Sequence, residues 1–326
     1  MPMKPTLEQL RSTARVYNMH VNDADMEAFL AVMEATFASY HCIDQLTEPP
    51  LPVHYSQSRQ SQRPSPQVNP LNAWYQQCSI QGAADGPLKG KRIVLKDNIC
   101  LAGVPMMNGS TVLEGYVPEC DATIVTRILD AGGEIAGKAV CENLSFCGSS
   151  FSAATGPVLN PHNPAYAAGG SSSGSAALVA AGACDMAIGG DQGGSITIPG
   201  SWCGVYGLKP TYGLIPYTGV FPVELTLDHI GPLAATTADM ALLLEVIAGE
   251  DGLDPRQCGI KPERYTSALH SDTHGILIGV VNEGFGWPEL YEKDVDEMVT
   301  LAAQRFSESG AQVNSISIPL HRYGKH

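Results

Sequence analysis

Serines and glycines crowd one stretch of this chain, residues 169–213, in two clusters at residues 171–175 and 189–195. An apolar run, residues 176–188, separates them. Glycine frees the backbone to reach positive φ and lets a ligand approach the main chain. Two such turns, joined by one short helix and strand, describe a site built from backbone N–H groups and serine hydroxyls, which is the equipment of acyl transfer. A flexible linker would be polar and aperiodic, whereas these flanks are Ala, Val, Leu and Ile with Trp202 and Tyr206 close by. A P-loop needs a lysine directly after its glycines, and none stands there. GGDQGGS does not fit the dinucleotide fingerprint. The G-x-S-x-G elbow is absent at Ser195, where the chain reads Gly193-Gly194-Ser195-Ile196-Thr197. What remains is a serine at the end of a glycine turn with donors behind it.

A hydroxyl nucleophile needs a base. None of the nine histidines stands in a triad context; His162 and His229 are nearest in sequence and read as loop caps or packing residues. A lysine is the other candidate. Residues 92–97, RIVLKD, read as a short buried strand ending in a polar turn. A lysine leaving the C-terminal end of a strand can enter a crevice, where desolvation lowers its pKa from about 10.4. Taken alone, Lys96 reads as an exposed strand-end lysine. The downstream serines make it a candidate base.

The elements that must position these groups alternate. Residues 92–96, 134–139, 186–189, 276–281 and 313–318 read as strands, and residues 122–131, 175–181, 237–248 and 295–309 as helices. This alternation implies an α/β fold with a sheet core covered by helices on both faces. Ahead of it, residues 6–14 and 23–40 show helical spacing, and the Pro/Ser/Gln-rich residues 48–70 read as a linker or wrapping loop. The division is an N-terminal helical segment with its linker, 1–70, and a core domain, 71–326.

At 326 residues and 44% hydrophobic the chain is ample for a sizeable core, and its net charge of −14 argues against nucleic acid and anionic membrane surfaces as partners. Nine scattered cysteines read as reduced thiols in the cytoplasm. The N-terminus lacks the apolar core of a signal peptide, and no membrane span is expected. No tight ligand spacing of His or Cys suggests a metal, and no cofactor is expected.

These residues carry a resemblance. KDN at 96–98, GVPMMNGS at 103–110, GKAVCENL at 137–144, GGSSSGSAALVAAG at 169–182 and GGDQGGSITIPGSWCGVYGLKPTYG at 189–213 resemble the amidase signature family of Ser-Ser-Lys amide hydrolases. The leading segment and the GGDQGGS form are similar to the amidases associated with nitrile metabolism. The resemblance implies the amidase-signature fold, with a mixed sheet between helices. It implies Ser195 as nucleophile, Ser171 as bridging serine in a cis peptide, and Lys96 as base. The N–H groups of Gln192, Gly193, Gly194 and Ser195 would form the oxyanion hole. Phe146 is a candidate pocket wall, although as an aromatic it reads equally as core. The implied activity is hydrolysis of a small-molecule carboxamide to acid and ammonia, with a homodimer as an open assembly. A glutaminase subunit of an amidotransferase shares the motifs and stands as the alternative, as does a catalytically silent relative. Two positions depart from the family pattern: Thr197, where many members have arginine, and Ser173, where many have glycine. Members of the family also continue well beyond the position of His326. The chain is therefore expected to be a C-terminally short form with an apolar face or sheet edge exposed, and weakly active alone.

Overall fold

The computed structural model describes residues 3–46, 51–56, 59–270, 272–288 and 291–323. They fall into two compact units, Met1–Pro52 and Val53–His326. The first unit is a helical pair, α1 (Leu7–Val16) and α2 (Asp23–Asp44). Thr6 and Gln9 form a reciprocal capping box at the start of α1, and Asn22 caps α2 through the Asp25 N–H. Arg11 of α1 pairs with Asp23 of α2 at 2.9 Å.

The second unit is built on β1 (Ser61–Gln62), β2 (Trp74–Gln81), β3 (Arg92–Lys96), β4 (Glu134–Ala139), β5 (Met186–Asp191), β6 (Tyr206–Gly207) and β7 (His229–Ala234). They form one seven-stranded sheet in the order β1-β2-β4-β3-β5-β7-β6. β3 runs parallel to both β4 and β5, and the outer pairings are antiparallel. Helices α3 (Thr123–Asp130), α4 (Ser173–Ala180), α5 (Thr197–Trp202) and α6 (Thr237–Ile247) cover it. Strand alternation explains which helix covers which face. Ile93 and Leu95 pack with Ile124 and Ile128 of α3 and Leu243 and Ile247 of α6. Val94 between them packs with Ala176, Leu178 and Val179 of α4. The sheet is thus mixed and covered on both faces, as the sequence implied.

Beyond it, β8 (Leu277–Val281), α7 (Lys293–Glu308) and β9 (Gln312–Ile316) form a separate two-stranded parallel unit. Its apolar residues are largely exposed, among them Leu277 and Met298. Among the described residues no helix is long and apolar enough to cross a membrane.

Four strands went unread in the sequence, β1 among them because its two residues fall in the Pro/Ser/Gln-rich stretch. β2 carries two register shifts and a buried polar Gln76, so its period-2 signal is broken. β7 holds Gly231 and Pro232, which argue against a strand. β6 is only a two-residue edge. Of the expected linker, residues 48–50, 57 and 58 lie outside the described residues. Residues 53–56 and 59–70 belong to the sheet unit and include β1. The Arg59 guanidinium donates two bonds to the Asp121 carboxylate at 2.5 and 2.6 Å, and the Tyr55 hydroxyl donates to Asp130 at 2.9 Å.

Candidate active site

Lys96 ends β3 and Asp191 ends β5. These strands are parallel neighbours, with Leu95 opposite Ile188, so both carboxyl ends emerge at one edge of the sheet, the usual place for a site in an α/β sheet. Strand alternation puts Lys96 on the same face as Val94, toward the start of α4. There its ammonium group donates to Ser171 Oγ at 2.6 Å and to the Gly190 carbonyl at 3.2 Å. Lys96 and Ser171 are both 0% exposed, which overturns the reading of Lys96 as an exposed strand-end lysine. Burial drives its pKa down from 10.5 to about 8; nearby Cys141, Asp191, Glu142 and Asp228 pull the other way and are outweighed.

The Gly170–Ser171 peptide is cis. Gly170 is required by close approach, since a Cβ there would stand 2.0 Å from the Ser149 carbonyl oxygen. The Ser172 N–H donates to the Ser195 carbonyl at 3.1 Å, stitching the two serine clusters together. Ser173, the departure from glycine, opens α4 and donates its hydroxyl to Glu142 Oε1 at 3.1 Å. The other Glu142 oxygen accepts from the Ser152 N–H and hydroxyl at 2.8 and 2.7 Å.

Asp191 shapes the glycine turn. Its carboxylate accepts from the Gly194 N–H at 2.8 Å and the Ile196 N–H at 2.7 Å, while Gly194 takes φ +112°. The Gly194 N–H is therefore committed to Asp191. Of the N–H groups expected to form the oxyanion hole, this one is held within the turn. Thr197, where many members of the family have arginine, turns its hydroxyl back to the Gly194 carbonyl at 3.4 Å.

Ser195 lies in a pocket of about 340 Å³ whose walls include Phe146, Cys147, Gln192, Ile198 and Leu227. Phe146 is 82% exposed, so it is a wall of this pocket and not a core aromatic. Its backbone is set from below. The Asp97 carboxylate accepts from the Met107 and Asn108 N–H groups at 2.9 Å each, and Asn108 Oδ1 accepts from the Ser145 hydroxyl at 2.8 Å. Lys138 Nζ stands 3.0 Å from Asp97 Oδ1, an ionic contact without hydrogen-bond alignment. Neither expected packing histidine enters the site: His162 Nε2 contacts the Cys203 carbonyl at 2.8 Å, and His229 Nδ1 contacts the Leu227 carbonyl at 2.7 Å.

The structure therefore joins Lys96 and Ser171 directly, and brings the Ser195 turn beside them through Ser172. The sequence reading missed Asp191, Glu142, Asp228 and the Asp97–Lys138 pair. Asp191 had a local signal, an aspartate ahead of a glycine turn, which commonly bonds its own downstream backbone. The others are assembled by packing between segments distant in sequence.

The family model described as Amidase matches residues 70–325, and the chain belongs to this family. An enantioselective amidase of Rhodococcus rhodochrous is 45% identical over 327 residues, covering 97% of this chain and 61% of that protein. Among solved structures, a glutamyl-tRNA(Gln) amidotransferase subunit of Thermotoga maritima superposes with a TM-score of 0.73 at 33% identity, over 78% of this chain and 56% of its own. Native peptide amidase from Stenotrophomonas maltophilia gives 0.67 at 36% identity, over 73% of this chain and 50% of its own. The chain thus spans between half and about three-fifths of the length of these relatives.

Proposed function

We propose that this chain carries the chemistry of an amide hydrolase working through a serine acyl-enzyme, with residues 71–326 as its catalytic domain. One observation carries the reading: a wholly buried Lys96 amine 2.6 Å from Ser171 Oγ, at the edge where the Ser195 turn emerges. With a pKa near 8, Lys96 is partly neutral close to neutral pH. The neutral amine keeps an N–H on the Gly190 carbonyl and turns its lone pair to the Ser171 hydroxyl. Ser171 gives its proton to Lys96 as it takes one from Ser195, and Ser195 Oγ attacks the amide carbonyl. The N–H groups of Gln192, Gly193 and Ser195 receive the developing oxyanion. Collapse of the tetrahedral intermediate breaks the C–N bond, and the amine leaves with a proton returned through Ser171. Water then cleaves the acyl ester by the same relay and restores Ser195.

The pocket walls Phe146, Ile198, Val223 and Leu227, with the likeness to an enantioselective amidase, support a small or aryl-aliphatic primary carboxamide as substrate. The free thiols favour a reducing cytoplasm. The test is intact-mass detection of a fluorophosphonate adduct together with ammonia release from carboxamides. Ser195→Ala abolishes both; adduct formation that persists in this variant refutes the assignment. The likeness to an amidotransferase subunit supports a second reading, a glutaminase subunit. Ammonia release from glutamine alone, and only with an added partner protein, decides for it.

A further inference from the structure

Asp228 belongs to no role considered so far. It is 1% exposed, and three donors converge on its carboxylate. Gln192 Nε2 donates to Oδ1 at 2.7 Å, the Glu224 N–H to Oδ1 at 3.1 Å, and the Val223 N–H to Oδ2 at 3.1 Å. Gln192 opens the glycine turn, while Val223 and Glu224 lie in the loop that enters β7. All three, with Leu227, line the Ser195 pocket. The register explains the meeting: Asp191, the last residue of β5, pairs with His229, the first of β7, so residues 192 and 228 leave adjacent strand ends.

The clamp is held from behind. Arg256 donates to the Asp228 carbonyl at 3.0 Å, pairs with Asp254 at 2.6 Å, and lies over the Tyr217 ring at 4.7 Å. A buried carboxylate holding three donors is a strong and directional anchor, and removing it strands those donors.

We propose that Asp228 is a positioning residue that fixes the gap between the oxyanion turn at Gln192 and the pocket wall at residues 223–227, and so sets the size of acyl group that reaches Ser195. This rests on the reading of Ser195 as the nucleophile of an amide hydrolase. Asp228 acts through two arms, the Gln192 side chain and the Val223 and Glu224 N–H groups. An asparagine cannot satisfy all three donors, because its amide NH₂ must face at least one of them as a second donor.

The experiment compares the 326-residue chain with Gln192→Leu, Gln192→Glu and Asp228→Asn. Two ladders are measured: ammonia release from straight-chain carboxamides of increasing length, and the rate of Ser195 labelling by alkyl fluorophosphonates of increasing length. Asp228→Asn is expected to slow the best-fitting member at least tenfold and to flatten the ratio between shortest and longest members at least fivefold. Gln192→Leu cuts one of the two arms and is expected to flatten the ratio in the same direction but by less than Asp228→Asn, because the wall remains bonded to Asp228. Gln192→Glu sets a second carboxylate against Asp228 and is expected to move the preference toward bulkier acyl groups; it decides the question if Asp228→Asn does not fold. A wild-type length ratio in Asp228→Asn, or a uniform loss matched by a lowered Tm, overturns the proposal. If the wild-type chain is labelled but releases no ammonia, the hydrolase reading fails and the labelling ladder alone decides the role of Asp228. If it is not labelled at all, both fall.

Discussion

Lys96 and Lys138 are both 0% exposed and sit on neighbouring strands, with Lys96 opposite Ala139 and Leu95 opposite Lys138. Their surroundings differ in one respect. Lys138 has a carboxylate 3.0 Å away, on Asp97. Lys96 has a hydroxyl and a carbonyl, with no acid in contact. A carboxylate beside a buried ammonium favours its charged form, whereas burial without one favours loss of the proton. One region is therefore scaffold, holding Asp97 so that Asp97 can hold the Met107–Asn108 backbone. The other has the burial and the hydroxyl contact that the proposed proton relay requires. A single inserted carboxylate is what separates the two roles.

The contrast breaks most visibly in turnover. Lys96→Met is expected to lower kcat/KM by about 10²–10⁴-fold, the range for a positioned base, while Ser195 labelling slows in parallel. Near-normal turnover in that variant would remove Lys96 from the reaction. The pH profile gives the second effect. Lys96 must be neutral to accept a proton, and its pKa lies near 8. Activity is therefore expected to rise with pH through about 8 and to fall roughly tenfold per unit well below it. A flat profile from pH 6 to 9 contradicts this.

In stability the two lysines should diverge in sign. Lys138→Met leaves the Asp97 carboxylate buried without its cation and is expected to cost about 3–5 kcal/mol in denaturant unfolding. Burial also already raises the Asp97 pKa against the pull of Lys138. Lys96→Met should instead stabilise. Its folded pKa of about 8 lies below the ordinary 10.5, so the burial penalty is complete below pH 8 and is relieved as pH rises from 8 to 10.5. At pH 7 the gain is expected to be about 1–3 kcal/mol, the upper figure being the shift converted and the lower allowing for the unpaired Gly190 carbonyl. It should fade above pH 9. Equal destabilisation in both variants would show that burial alone, and not the counter-ion, distinguishes the sites.

The elements closest to the chemistry were the most legible. β3 and β4 are bounded as their residues suggested, and α3, α4 and α6 lie within a residue or two, because compact apolar runs between glycines leave few alternatives. β7 was hidden by Pro232. The structure accommodates it beside the edge strand β6, where the Pro232 carbonyl accepts from the Leu208 N–H at 3.1 Å and no N–H is needed in return. In the site, Lys96, Ser171 and Ser195 were marked by their glycine-rich contexts and a family pattern. Asp228 and the Asp97–Lys138 pair carry no local signature. Asp97 and Lys138 lie inside KDN and GKAVCENL, but nothing in either motif pairs them, and only the sheet order brings each residue to its partners.

Burial of Lys96 also sets a clock. An amine-directed acylating reagent meets exposed lysines such as Lys89 at once, but it meets Lys96 only while the segment around β3 and α4 is open. Slow loss of activity under such a reagent, after the surface amines are saturated, would then record how often the sheet edge breathes. The lysine proposed as base would then double as a recorder of native-state fluctuations.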